Sequence, residues 1–225
     1  MRIKSILLAL LISVSATAQI SEAKKDSIEK YGVKYRSELG YGQDFRYGKA
    51  AVTSPYHVIK AGVNVEYPLV HGFGLETGLR YGVGFGNRYQ RYAHSDTATF
   101  KYVRHELDIP LRANYTLPII WGIKAFAYAG PLINIGLTHK DNVSFTAKEP
   151  DPAPTNPLAY PEPGVYDIYK TDLRRINLQL GAGGGVQWQN YRIKSGYEWG
   201  INSISRKKEY PERVKGWYVA FEYQF

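Results

Sequence analysis

The tripeptide His94-Ser95-Asp96 sets a base, a hydroxyl and a carboxylate side by side, and His105-Glu106 sets a base beside an acid. Nucleophilic catalysis needs those roles placed by geometry, which contiguous residues rarely achieve. If residue 105 lies on a strand, His105 and Glu106 point to opposite faces and cannot share a proton. His57, His71 and His139 show neither H-x-H nor H-E-x-x-H spacing, so they suggest no metal site. Without cysteine there is no thiolate ligand, disulfide or lipoprotein acyl anchor. Gly181 to Val186 lacks the G-K-[ST] ending of a phosphate loop. The expectation is a protein that is not an enzyme, with no catalytic residue, metal or cofactor.

Two groupings of charge remain. Arg206, Lys207, Lys208 and Arg213, followed by Lys215, cluster within a short stretch and could meet phosphate groups as charge-assisted pairs. The second grouping is spread along the chain and takes alternate positions: Arg36, Glu38, Glu76, Arg80, Arg104, Glu106, Asp108, Arg112, Arg192, Glu198 and Glu222, with Lys34, Lys60, Glu66, Arg175 and Lys194 in phase. Both signs are present. An isolated buried charge is expensive, but a paired and hydrogen-bonded one is tolerable.

That spacing demands strands. Apolar residues fill the other phase: Leu75, Leu79, Tyr81, Val83 and Phe85 oppose Glu76 and Arg80, and Tyr191, Ile193, Tyr197, Trp199 and Ile201 oppose Arg192, Lys194 and Glu198. Eight such runs are predicted: Val33 to Phe45, Tyr56 to Pro68, Gly74 to Arg88, Phe100 to Tyr115, Ile123 to Thr138, Thr171 to Trp188, Tyr191 to Ile204 and Lys215 to Phe225. Their connections alternate long and short: Arg46 to Pro55, Leu69 to Phe73, Tyr89 to Thr99, Thr116 to Gly122, His139 to Lys170, Gln189-Asn190, and Ser205 to Val214. Short periplasmic turns, longer extracellular loops and an even strand count are the signature of an outer-membrane barrel. The predicted fold is an all-β, eight-stranded antiparallel up-and-down transmembrane β-barrel with both termini periplasmic. Its interior, just wide enough to be filled by side chains, would take the charged phase as an ionic network. Pro110 and Pro131 interrupt two runs and are expected to mark a bulge or the membrane boundary.

The start of the chain fits export. Arg2 and Lys4 precede an apolar centre from Ile6 to Val14 and an Ala16-Thr17-Ala18 cleavage pattern, so residues 1–18 are expected to be a signal peptide. Residues 19–32 are expected to form a short periplasmic lead-in and residues 33–225 the barrel domain. The net charge of +9 favours an anionic partner, and lipopolysaccharide suits an exported protein better than nucleic acid.

Leu107-Asp108-Ile109-Pro110-Leu111 followed by Tyr115 resembles a strand of the PorT-like outer-membrane β-barrel family. Ala127-Tyr128-Ala129-Gly130-Pro131 resembles that family's next strand, and the glycine-rich sixth run and terminal Tyr223-Gln224-Phe225 are similar to it too. The resemblance implies the barrel and its location. It also implies that the aromatic end, Trp217, Val219, Phe221, Tyr223 and Phe225, is read by the outer-membrane insertion machinery. It implies no activity. The function expected is a non-enzymatic barrel with a filled lumen, its extracellular loops binding a partner or lipopolysaccharide. The alternatives are an accessory role in secretion or envelope assembly, and narrow porin-like transport of small solutes.

Overall fold

The computed structural model describes residues 32–48, 55–91, 97–146 and 163–225. The segment predicted as signal peptide, the predicted lead-in up to residue 31, the His94-Ser95-Asp96 tripeptide and residues 147–162 lie outside the described residues. The strands are β1 Lys34–Gly48, β2 Tyr56–Pro68, β3 Phe73–Arg91, β4 Thr97–Pro118, β5 Ile123–Thr146, β6 Gly164–Asp167, β7 Ile176–Trp188, β8 Tyr191–Gly200 and β9 Glu212–Gln224. One short helix, α1 Ile168–Thr171, follows β6.

Eight strands close a ring. The order β4-β3-β2-β1-β9-β8-β7-β5 returns to β4 through the β4–β5 pairing, and every pairing is antiparallel. The seam joins the first strand to the last, with Glu38 opposite Glu222 and Leu39 opposite Phe221. Closure leaves the ring without an unpaired edge, so backbone polar groups are satisfied without water.

The period-two pattern becomes two surfaces. Leu75, Leu79, Tyr81 and Phe85 on β3 are exposed on the outer surface, as are Trp217, Val219, Phe221 and Tyr223 on β9. Arg36, Arg80, Arg192, Lys194 and Glu222, from the opposite phase, are fully buried in the lumen. Glycine makes room at the crowded points. A Cβ on Gly62 would lie 2.2 Å from the backbone oxygen of Leu79, so the strong curvature of the wall needs a residue without a side chain there.

At the end that carries the termini the hairpins are tight. His71 and Gly72, and likewise Trp121 and Gly122, take positive φ, with the turns closed by Phe73 N to Val70 O (3.0 Å) and Ile123 N to Ile120 O (2.9 Å). Positive φ at both central residues is the I′ geometry that matches strand twist.

At the other end the strands outrun the expected boundaries. β3 reaches Arg91, β4 starts at Thr97 and β5 continues to Thr146. The connection predicted from His139 to Lys170 therefore contains the end of β5, all of β6 and most of α1. β6 pairs with β5 from Lys140↔Asp167 to Val143↔Gly164, beyond the point where β7 leaves β5 at Ile135. β7 begins at Ile176 rather than Thr171, and β8 ends at Gly200 rather than Ile204. The overhang keeps a buried face, with Ala98, Phe100 and Val143 packed together.

The register shift of the β4–β5 ladder falls at neither proline. It lies between His105 and Glu106, and Pro110 pairs directly with Leu132. Pairing lapses just past it, between Pro110↔Leu132 and Ala113↔Ala129. There Gly130 comes so near β4 that a Cβ would lie 2.1 Å from Leu111 O.

Candidate functional site

Inside the ring, charged side chains from six of the barrel strands, with neutral ones from β5 and β7, form stacked layers of paired charge. Nearest the termini, Glu66 holds two guanidiniums, Arg36 at 2.6 Å and Arg192 at 3.0 Å. Arg36 also donates to Gln224 at 3.2 Å and Arg192 Nε to Gln187 at 2.7 Å. Above them Lys194 Nζ bridges Glu222 (2.5 Å) and Glu38 (3.0 Å), with Glu76 at 3.9 Å. Asn64 donates to both of those carboxylates, at 2.6 and 2.9 Å.

The next layer centres on Arg80, within 3.4 Å of Glu38 and 3.3 Å of both Asp108 and Glu198. Lys60 closes on Asp108 at 2.7 Å, Arg112 on Glu198 at 2.9 Å, and Asn134 donates to Asp108 at 2.6 Å. One wall is aromatic: Phe126, Tyr128 and Tyr218 pack together, Arg192 lies over Phe126 at 4.5 Å and Arg112 over Tyr128 at 4.7 Å. Those rings receive the guanidinium faces that carboxylates do not reach. The uppermost ion pairs join Arg104 to Asp44 and to Glu106, the latter at 3.0 Å.

All eleven residues predicted to face the lumen are buried there: Arg36, Glu38, Glu76, Arg80, Arg104, Glu106, Asp108, Arg112, Arg192, Glu198 and Glu222. Lys60, Glu66 and Lys194, in the same phase, complete the network, and Lys194 occupies its middle. Asn64, Asn134 and Gln187 supply neutral bridges that charge patterning could not reveal. His105 accompanies none of them. It turns outward to Tyr81, whose hydroxyl lies 2.5 Å from Nδ1, while Glu106 faces the lumen.

A cap covers the layers at the end opposite the termini. Asp167 accepts from Tyr169 N at 3.2 Å and so starts α1. Tyr169 and Leu173 bury against Ile204 and Val214. Arg206 secures this fold-over by donating to Tyr169 O at 2.9 Å and Leu173 O at 3.0 Å. Arg175 donates to Gly136 O at 3.1 Å and also to Leu137 O. Burial pushes the Tyr169 phenol up, so it stays a neutral donor. Beneath the cap, a cavity of about 20 Å³ lies between Arg104, Glu106, His139 and Tyr169, close to the space one water molecule needs.

The predicted basic cluster divides. Arg206 is committed to the cap, and Lys207 pairs with Asp172 at 3.2 Å although both remain open to solvent. Lys208 and Arg213 are exposed. No group of three or more potential metal ligands occurs among the described residues. The cap escaped sequence reading because Ile168, Tyr169 and Leu173 share no strand period. Asp167 two residues before Tyr169 is the signal that could have found it.

No curated protein sequence matches the chain. Similar solved structures include Ail, the attachment invasion locus protein of Yersinia pestis, in complex with the heparin analogue sucrose octasulfate: 13% identity, TM-score 0.42, covering 86% of this chain and 99% of that one. Neisserial surface protein A shows 10% identity and a TM-score of 0.43, over 86% and 97% of the two chains. The outer membrane enzyme PagL shows 8% identity and a TM-score of 0.37, over 83% and 98%. The family model described as outer membrane protein beta-barrel domain matches residues 20–206. With an eight-strand ring, an apolar outer surface and a charged lumen, the chain belongs to the outer membrane protein beta-barrel domain family and is a protein of the bacterial outer membrane.

Proposed function

We propose that this protein is a non-enzymatic integral barrel with a closed lumen, and that it works through cations at the capped end, which bind lipopolysaccharide phosphates. The observation that carries this reading is the contrast between interior and rim. Every lumen cation named above has a carboxylate partner, whereas Lys170, Arg174, Lys208 and Arg213 are exposed around the cap. A filled interior supports neither solute transport nor a buried reaction centre.

The reading includes an orientation, with the capped end extracellular and both termini periplasmic, and an aromatic C-terminal strand used as the insertion signal. Within the family, the Ile109-Pro110-Leu111 and Gly130-Pro131 motifs support a PorT-like assignment.

The test is binding of the detergent-solubilised protein to purified lipopolysaccharide and to the same material stripped of phosphate. Phosphate-dependent binding that weakens with salt and falls in a K207Q/K208Q/R213Q variant is expected. Equal affinity for both preparations, or none, overturns the ligand and leaves a protein partner in secretion or envelope assembly as the better reading.

A further inference from the structure

The cap closes over an unbalanced set of charges. Of the side chains that line the cavity of about 20 Å³ beneath it, Arg46, Arg104, Arg174 and Arg175 are cations, and only Asp44 and Glu106 are carboxylates. Both carboxylates are taken by Arg104, Glu106 at 3.0 Å. Arg46, Arg174 and Arg175 form no ion pair among the described residues. Aromatic rings hold two of them instead, with the Arg46 guanidinium 4.9 Å from the centre of the Tyr56 ring and that of Arg175 5.1 Å from the Tyr169 ring. Arg175 gives Nη1 to Gly136 O and Leu137 O, which leaves its Nη2 and Nε hydrogens. Ring faces ease the burial of a cation without cancelling its charge.

His139 supplies an independent observation. It lines the same cavity and is 1% exposed. Arg46 Nη2 lies 3.4 Å from its Nε2. A guanidinium can only donate, so Nε2 is the acceptor and the ring carries its proton on Nδ1. Asp141 approaches that same Nε2, at 3.2 Å. Nδ1 is buried and meets no acceptor among the described residues. A buried donor left unpaired is costly, so this N–H calls for a partner that the chain does not provide. Asn177, also in the lining, has an unpartnered Oδ1, and turning its amide over presents Nδ2 as a further donor.

We propose that this cavity binds a single halide ion, chloride in the native setting, held beneath the cap by the Nδ1 hydrogen of His139 and the guanidiniums of Arg46 and Arg175. Size selects the class. The space suits one guest of about a water molecule's bulk, which admits a halide and shuts out phosphate, sulfate or an acidic sugar. Charge selects the sign, because surplus guanidiniums and an unmet N–H attract an acceptor and repel a metal cation. Tyr169 roofs the cavity, so the ion couples α1 to the barrel wall. Bound only while the cap is folded down, it stabilises that arrangement by mass action.

The experiment compares the full-length, detergent-solubilised wild type with an Arg46→Gln variant. Chymotrypsin cleavage near Tyr169 is followed in sodium chloride and in sodium gluconate of equal ionic strength. For the wild type, cleavage is expected to slow severalfold in chloride, more so as chloride rises, with bromide acting likewise. For R46Q the two salts should give the same rate. Equal rates for the wild type, or protection that survives in R46Q, overturn the site and leave the cavity to water. Protection by sulfate equal to that by chloride overturns it too, since an oxyanion does not fit. Should R46Q fail to fold, crystals of the wild type grown in bromide decide: an anomalous peak beside His139 supports the site, and a cavity without one overturns it.

Discussion

Lys194 and Glu38 stand 156 residues apart in the chain and meet at 3.0 Å in the centre of the lumen, each side chain almost wholly withdrawn from solvent. Neither charge has water to fall back on, so Lys194 depends on Glu38 and Glu222, and Glu38 on Lys194, Arg80 and Asn64. Removing one partner of a buried pair leaves an uncompensated charge, and this typically costs about 3–5 kcal/mol. Lys194→Met should therefore lower unfolding stability in detergent by roughly that amount. Adding Glu222→Gln should restore part of it, because the excess negative charge is removed. Urea titration followed by tryptophan fluorescence measures both.

The stacked ion pairs, with Tyr169 and Leu173 closing one end, should make the protein electrically silent. Planar bilayers containing the wild type are expected to show no steady porin-like conductance. Arg206→Ala, which loosens the cap but leaves the layers around Arg80 and Lys194 in place, should remain silent as well. Single-channel recording at both polarities checks this.

The seat of the cap is a glycine. A Cβ at Gly136 would lie 2.0 Å from the Tyr169 hydroxyl and 2.1 Å from its ring, so Gly136→Val should expel Tyr169 while the ring of strands stays closed. Arg206→Ala should loosen the same segment more gently, by about 1–3 kcal/mol for two lost hydrogen bonds. Chymotrypsin cleavage near Tyr169 is expected to quicken in the order wild type, R206A, G136V. The folded form of all three should keep its distinct mobility on an unheated denaturing gel.

The orientation is open to a clean labelling experiment, because the chain contains no cysteine. Lys208→Cys should react with a membrane-impermeant maleimide on intact cells. Asn190→Cys should react only after the outer membrane is permeabilised. Insertion of an epitope at Gln189 should also impair folding, since this residue takes φ 51° in a two-residue turn that fixes its hairpin's register.

The ring and its two surfaces were legible in the sequence because a transmembrane wall has one apolar and one polar face, and Leu75/Glu76 or Tyr191/Arg192 state that difference residue by residue. Pairing within the lumen was not legible. That Glu66 holds both Arg36 and Arg192 depends on ring closure, which brings β8 near β2 across the barrel. The overhang of β3 to β5 and the cap were hidden for a different reason. The overhang keeps a short apolar phase at Ala98, Phe100 and Val143 that polar neighbours Thr97, Asn142 and Ser144 dilute, and α1 is too short for a helical period to show.

Closure between β1 and β9 carries a consequence for how the molecule is made. Glu38 sits on the first strand, Lys194 and Glu222 on the last two, and Asn64 on the second donates across the seam to Glu222 at 2.9 Å. The layer around Lys194 therefore draws on both ends of the chain and is complete only when the first strand pairs with the last.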